Sequence, residues 1–122
     1  MMKQVDLDRY RKSRQSIVEA GKYRFTVLRP TKLDVLRAAN EEGAAALSLE
    51  FAIRFVVGWE GVTEMDLYAG GDPDPVAFDA DVFKDWLADQ PELWAVIAKG
   101  IGDAYKAHEE ATEARGNVSG TG

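Results

Sequence analysis

Four aspartates near the middle of the chain could together bind a calcium ion. They are Asp72, Asp74, Asp79 and Asp81. An EF-hand loop needs glycine at its sixth position and glutamate at its twelfth, but a loop beginning at Asp72 would have Ala77 and Phe83 there. We therefore predict no metal site and interpret the segment as a turn that ends at a helix-capping residue, Asp79.

The remaining candidates for catalysis are isolated. His108 is the only histidine, so neither a catalytic triad nor a histidine-rich metal site can form, and we interpret His108 as a packing residue or a partner of the helix dipole. Asp85 and Asp89 are spaced to approach each other on a helix, and we interpret them as part of a solvated face. No cysteine is present. We predict that the protein is not an enzyme and binds no cofactor.

Charge is distributed unevenly along the chain, although the net charge is −6. Residues 1–37 contain ten Lys or Arg against four acids, and residues 38–122 contain five against seventeen. The basic part could be attracted to nucleic acid, to a second copy of the chain or to its own acidic half. Because most of the chain would repel phosphates, the composition disfavours nucleic acid. The first 14 residues lack the apolar core of a signal peptide, so we expect no export.

The length and composition are typical of one small globular domain. Alternating apolar and polar residues after Gln15 predict a β-hairpin that turns near Gly21 and ends at Pro30. About four helices should follow, which gives an α+β fold that is mostly α. The predicted parts are a flexible basic arm over 1–14, the globular domain over 15–115 and a disordered tail over 116–122.

Capping residues predict where three of these helices begin. Thr31 is a suitable N-cap with Asp34 three residues later, and Asp79 is a suitable N-cap for a short helix. Pro91 suits the first position of the last helix. A polar patch at residues 40–43 is expected to break the first helix from the next one.

The segment Ala44–Val62 is strongly apolar. Its predicted helix, Ala44–Val57, has only two charged residues, Glu50 and Arg54, spaced to pair on one stripe. A helix this apolar must be covered by the domain or by a partner, and the run is too short for a membrane span. We expect no membrane partner, and we predict that Gly58 ends the helix before a turn.

Aromatic residues are frequent in this helix and in the segments that follow it. Most of them would fill the core, but aromatic side chains also dominate protein–protein interfaces. A subset could line a groove for an apolar helix of a partner. The candidates for partner binding are Phe51, Phe55, Trp59, Trp86 and Trp94.

Three loose motifs follow one another between residues 45 and 117. A hydrophobic helix ends in a W-x-G-V turn at Trp59, an F-D-x-x-x-F-x-x-W-L helix begins at Phe78, and a P-x-L-W-x-x-I helix begins at Pro91 and later contains A-Y-x-A-H. In this arrangement the chain resembles the small tail assembly chaperones of long-tailed, siphovirus-type bacteriophages. The motifs contain no catalytic signature.

The resemblance implies a non-enzymatic function in the cytoplasm of the bacterial host. Such chaperones bind the tape measure protein, keep it soluble while tail tube subunits polymerise around it, and are absent from the mature virion. A longer form made by ribosomal frameshifting often recruits the tail tube protein. The charge polarity of this chain would also permit head-to-tail self-association. The alternatives are a structural protein at the head–tail junction of a phage or prophage, and a small DNA-binding regulator that uses the basic N-terminal arm.

Overall fold

The computed structural model describes residues 2–39 and 44–120, which form a three-stranded antiparallel sheet and six helices. In chain order the elements are α1 Leu7–Lys12, β1 Gln15–Ala20, β2 Tyr23–Leu28, α2 Lys32–Ala39, α3 Ala44–Phe55, β3 Val56–Glu60, α4 Glu64–Leu67, α5 Ala80–Ala88 and α6 Pro91–Gly120. The strands lie in the order β1-β2-β3. The predicted α+β fold, mostly helical and with an N-terminal hairpin, is confirmed.

The hairpin of β1 and β2 turns where the sequence predicts it. Ala20 pairs with Tyr23, so Gly21 and Lys22 form a two-residue loop. Gly21 has a φ of 61°, which the primed turns of such loops require at their first position.

Strand β3 replaces the end of a predicted helix. The sequence predicts helix through Val57 and a turn at Gly58, but α3 ends at Phe55 and Val56–Glu60 pairs with β2. The helix boundary was wrong because valine and tryptophan favour strands and because the free edge of β2 offers backbone hydrogen bonds to a neighbouring strand. A bulge interrupts the register near Val57.

Both ends of the chain contain more helix than the sequence predicts. Residues 1–14, predicted as a flexible arm, contain α1, whose N-cap residue Asp6 accepts hydrogen bonds from the N–H groups of Asp8 and Arg9. Helix α6 continues through residues 116–120 of the predicted disordered tail, although that segment contains no strong helix former. The predicted break at 40–43 and the last two residues lie outside the described part of the chain.

The predicted helix starts at Thr31, Asp79 and Pro91 are confirmed. Asp34 N–H donates to the Thr31 hydroxyl over 3.2 Å, and the Asp79 carboxylate accepts from the N–H groups of Asp81 and Val82. A further short helix, α4, follows β3 and is not among the helix starts predicted from the sequence.

The core lies between one face of the sheet and helices α3, α5 and α6. Helix α6 crosses close to β1 at Gly100, where an added Cβ would overlap the side chain of Val18. The glycine therefore allows the helix and the strand to approach. The largest fully buried side chains are Phe25, Phe83, Leu87, Ile97, Ile101, Val27, Val62 and Pro30.

Candidate functional site

Two of the predicted partner-binding residues, Trp59 and Trp86, lie in the core. They are 9% and 7% exposed, and their rings meet edge to face with centroids 6.0 Å apart. The indole N–H of Trp59 donates to the Val76 carbonyl over 2.7 Å, and that of Trp86 donates to the Asp66 carbonyl over 3.1 Å. The rings are packed inside the protein, and their N–H groups are hydrogen-bonded within the chain. These tryptophans are therefore core residues, and a partner cannot reach them in this structure.

The other three predicted residues are divided between the core and its margin. Phe55 is buried, and Phe51 and Trp94 are partly buried. Trp94 donates its indole N–H to the Leu87 carbonyl over 2.6 Å, which links α6 to α5. The Phe51 ring lies against Phe55, with centroids 5.5 Å apart, and it also borders an open cavity. Phe51 is thus the predicted residue that the structure places at a candidate site.

The candidate site is an apolar groove between α2, α3 and α6. Its cavity volume is about 260 Å³. Helix α2 forms one wall, Phe51 of α3 contributes an aromatic ring, and Gly102 of α6 leaves space, since an added Cβ there would meet no atom within 4 Å. The lining residues are Pro30, Val35, Ala38, Phe51, Ile101, Gly102 and Tyr105. We call this cavity the apolar groove.

A polar pocket of about 340 Å³ continues from the apolar groove, since Tyr105 lines both. Its lining includes two cations, Arg29 and Lys32, and two carboxylates, Glu109 and Glu113. The Tyr105 hydroxyl donates to Glu109 over 3.0 Å, and partial desolvation together with this carboxylate raises the pKa of Tyr105. The site therefore combines an apolar trough with a rim of mixed charge.

Helix α2 is anchored beside the apolar groove by polar contacts at its first turn. The Asp34 carboxylate accepts hydrogen bonds from the Thr31 N–H and hydroxyl, both over 2.9 Å, and it pairs with Arg54 of α3 over 3.0 Å. Although partial burial opposes ionisation, these hydrogen bonds and the Arg54 charge lower the pKa of Asp34. The outer side of α2 presents Leu33 and Leu36, which are 54% and 55% exposed.

A second polar cluster with the same set of contacts joins the start of α4 to the hairpin loop. Asp66 of α4 accepts hydrogen bonds from the Thr63 N–H over 2.8 Å and from its hydroxyl over 2.9 Å. It also pairs with Lys22 of the hairpin loop over 2.6 Å. Desolvation opposes ionisation here too, but the Lys22 and Thr63 hydrogen bonds outweigh it and lower the pKa of Asp66 to about 2.

The residues considered for metal binding or catalysis form no joint site. Among residues 2–39 and 44–120, no group of three or more His, Asp or Glu side chains is arranged to hold a metal ion. His108 is exposed beside the polar pocket, and it lies within α6 rather than at its end. None of the helices in the described part of the chain combines the length and hydrophobicity needed to cross a membrane.

Comparison with known proteins adds no family assignment. No protein-family model, curated protein or solved structure matches this chain. The geometry of the apolar groove, together with the resemblance in the motifs, is therefore the basis on which function can be proposed.

Sequence reasoning missed most of the groove lining because it searched for large aromatic residues. Val35 and Ala38 are small residues of α2, and Gly102 has no side chain at all. The sequence did contain one usable signal: Val35 and Ala38 are three residues apart, which puts them on the same face of a helix. In the structure this face lies across the apolar groove from Ile101 and Tyr105 of α6. A glycine adds nothing to a hydrophobic pattern, so the open space beside Gly102 could be recognised only from the structure.

Proposed function

We propose that this protein is a non-enzymatic phage tail assembly chaperone that binds the tape measure protein and keeps it soluble during tail tube assembly. The observation that carries the proposal is the apolar groove, which places Phe51 at an open surface cavity. The resemblance of residues 45–117 to the chaperone family supports the choice of client. The expected location is the host cytoplasm, and the chaperone would not remain in the mature virion.

The shape of the apolar groove suits a helical client. Amphipathic helices bind partners by laying apolar side chains into a hydrophobic trough, and here the trough runs between three helices. Pro30 closes one part of it, and Tyr105 leads into the polar pocket. An apolar side chain of the client would occupy the space beside Gly102, while polar residues next to it would meet Arg29 or Glu109.

The exposed apolar residues near the groove support a reversible contact. Leu33 and Leu36 extend the apolar surface onto the outer side of α2, and exposed apolar patches in soluble proteins commonly mark interaction sites. The net charge of −6 would help a complex with an aggregation-prone client to remain in solution. A frameshifted longer form would then bring the tail tube protein to the same client.

Filling the apolar groove tests this function directly. The tape measure protein would be co-expressed with the wild-type chain, with Gly102→Phe or with Gly102→Ala, and its soluble fraction measured. Gly102→Phe puts a ring into the cavity and should abolish the rescue of solubility, whereas Gly102→Ala leaves the cavity open and should preserve it. We expect both variants to fold, because replacing an exposed helical glycine removes no core contact. Circular dichroism would verify this.

The other outcomes identify the alternatives. If the wild-type chain leaves the client insoluble, the chaperone proposal fails. Detection of the chain in purified virions would favour a structural protein at the head–tail junction. Salt-sensitive retention on DNA that is lost after deletion of residues 1–14 would favour a DNA-binding regulator.

A further inference from the structure

The two edges of the sheet are unlike each other. Strand β3, which forms one edge, is interrupted by a bulge near Val57. Strand β1 is regular over six residues, and at its centre Ile17 is 50% exposed. Natural sheets usually protect a free edge with a bulge, a proline or a charged residue directed inward. Strand β1 contains no bulge and no proline, and its charged residue Glu19 is exposed rather than directed inward, so β1 is the less protected of the two edges.

The backbone groups of β1 that point outward can be identified from the register. Arg29 N–H donates to the Arg14 carbonyl, and hydrogen-bonded pairs alternate along an antiparallel ladder. Ser16, Val18 and Ala20 therefore bond to β2, while the N–H and C=O groups of the alternate residues face the outer edge. These alternate residues are Gln15, Ile17 and Glu19, and the described part of the chain places no backbone partner on them.

We propose that β1 pairs with β1 of a second copy of this chain, in antiparallel register about a two-fold axis at Ile17. The register places Ile17 opposite Ile17 of the second copy and Gln15 opposite its Glu19, so an amide faces a carboxylate at each end. The edge is thus complementary to itself, which is what an isologous two-fold contact requires. The product is a continuous six-stranded sheet.

This contact differs from the head-to-tail association that the charge distribution suggests. A two-fold contact closes at the dimer, whereas a head-to-tail contact can continue along a client. The apolar groove lies between α2, α3 and α6 and not at the β1 edge, so each copy would keep its own groove. The dimer would present two grooves, and it does not depend on the identity of the client.

Single cysteines test the register, because the chain has no cysteine of its own. In Ile17→Cys the two Cα atoms would be about 5.5 Å apart, within the range of a disulfide. In Glu19→Cys, on the same edge, the two cysteines would be about 14 Å apart at the rise of a strand. Under mild oxidation Ile17→Cys should become a disulfide-linked dimer, and Glu19→Cys should remain largely monomeric. Equal cross-linking of the two variants would overturn the proposal.

Sedimentation velocity over a range of concentrations tests the association itself. The wild-type chain should show a monomer–dimer equilibrium, and Ile17→Lys should raise the dissociation constant by about tenfold or more, because two like charges would face each other. Val57→Lys, at the bulged opposite edge, is the matched control and should leave the dissociation constant unchanged. Thermal unfolding would establish that both variants fold.

Three results contradict the proposal. One is a wild-type chain that stays monomeric at the highest concentration reached, and another is an Ile17→Lys variant that dimerises as well as the wild type. The third is a disulfide between Ile17→Cys and a cysteine introduced into the co-expressed client, formed in place of the disulfide between two copies, which would assign the edge to the client. The first two results do not involve the tape measure protein, so the dimer proposal and the chaperone proposal can fail or succeed separately.

Discussion

Two similar polar clusters lie at the starts of helices α2 and α4, and they differ in the size of the side chains packed next to them. In one, Asp66 binds Thr63 and Lys22; in the other, Asp34 binds Thr31 and Arg54. Each aspartate accepts both the N–H and the hydroxyl of a threonine three residues earlier, and each pairs with a cation from another element. Their side chains are similarly buried, at 13% and 15% exposed.

The difference is the volume of the side chains that each cluster holds in place. Behind Asp66 the backbone carbonyl accepts the Trp86 indole N–H, and the Tyr23 ring meets Trp86 edge to face at 5.3 Å. Behind Asp34, the α2 residues that line the space are the smaller Val35 and Ala38, and the apolar groove remains open. Polar anchoring therefore determines where a helix begins, while side-chain volume determines whether the space beneath it is closed.

The largest expected loss of stability comes from removing a large core side chain next to the Asp66 cluster. Trp86→Ala should lower the free energy of unfolding by about 3 to 5 kcal/mol, because it leaves a cavity and removes several ring contacts. Phe51→Ala should cost less, about 1 to 2 kcal/mol, since one side of its ring already borders open space. Urea denaturation of both variants measures the difference. Equal losses would mean that the groove side is packed as tightly as the core.

A smaller effect is expected at the glycine that lets β3 pass close to the hairpin loop. Gly61 has a φ of 87°, and an added Cβ would overlap the Lys22 carbonyl oxygen. Gly61→Ala should therefore destabilise the protein by about 2 to 3 kcal/mol and disturb the Lys22–Asp66 pair. Gly21→Ala is the control, because Gly21 also has positive φ but open space around it. It should cost only about 1 kcal/mol, and thermal unfolding would rank the two variants.

Acid should remove the contribution of Asp66 to stability between about pH 4 and pH 2. The pKa of Asp66 is lowered from its ordinary 3.8 to about 2, so its contribution is fully present above about pH 4 and is lost as the pH falls through 2. We expect about 1 to 2 kcal/mol from this group, since its partner Lys22 is largely exposed. Denaturant midpoints between pH 5 and pH 2 should fall for the wild type and fall less for Asp66→Asn. Asp34→Asn should change that slope less than Asp66→Asn does, because the pKa of Asp34 is lowered less.

The comparison also shows how far sequence reasoning can reach. A threonine or aspartate N-cap and a proline at the first helical position are local signals, so the helix starts at Thr31, Asp79 and Pro91 were predicted correctly. Strand β3 was missed because Val56 and Val57 also fit the periodicity of the preceding helix, and only pairing with β2 decides between the two structures. Trp59 and Trp86 were kept as candidates for partner binding because aromatic content does not reveal which rings meet one another inside the core.

The smallest effect separates helix propensity from filling of the apolar groove. Gly102 lies within α6, and an added Cβ meets no atom within 4 Å. Gly102→Ala should therefore raise the free energy of unfolding by up to about 1 kcal/mol, through reduced freedom of the unfolded chain and a better helix former. Guanidinium denaturation measures the gain, with Gly100→Ala as a control that should be destabilised by overlap with Val18. If Gly102→Ala were also destabilised, the space beside α6 would have to be occupied already. The apolar groove would then not be open, and the contrast with the filled core beside Asp66 would be wrong.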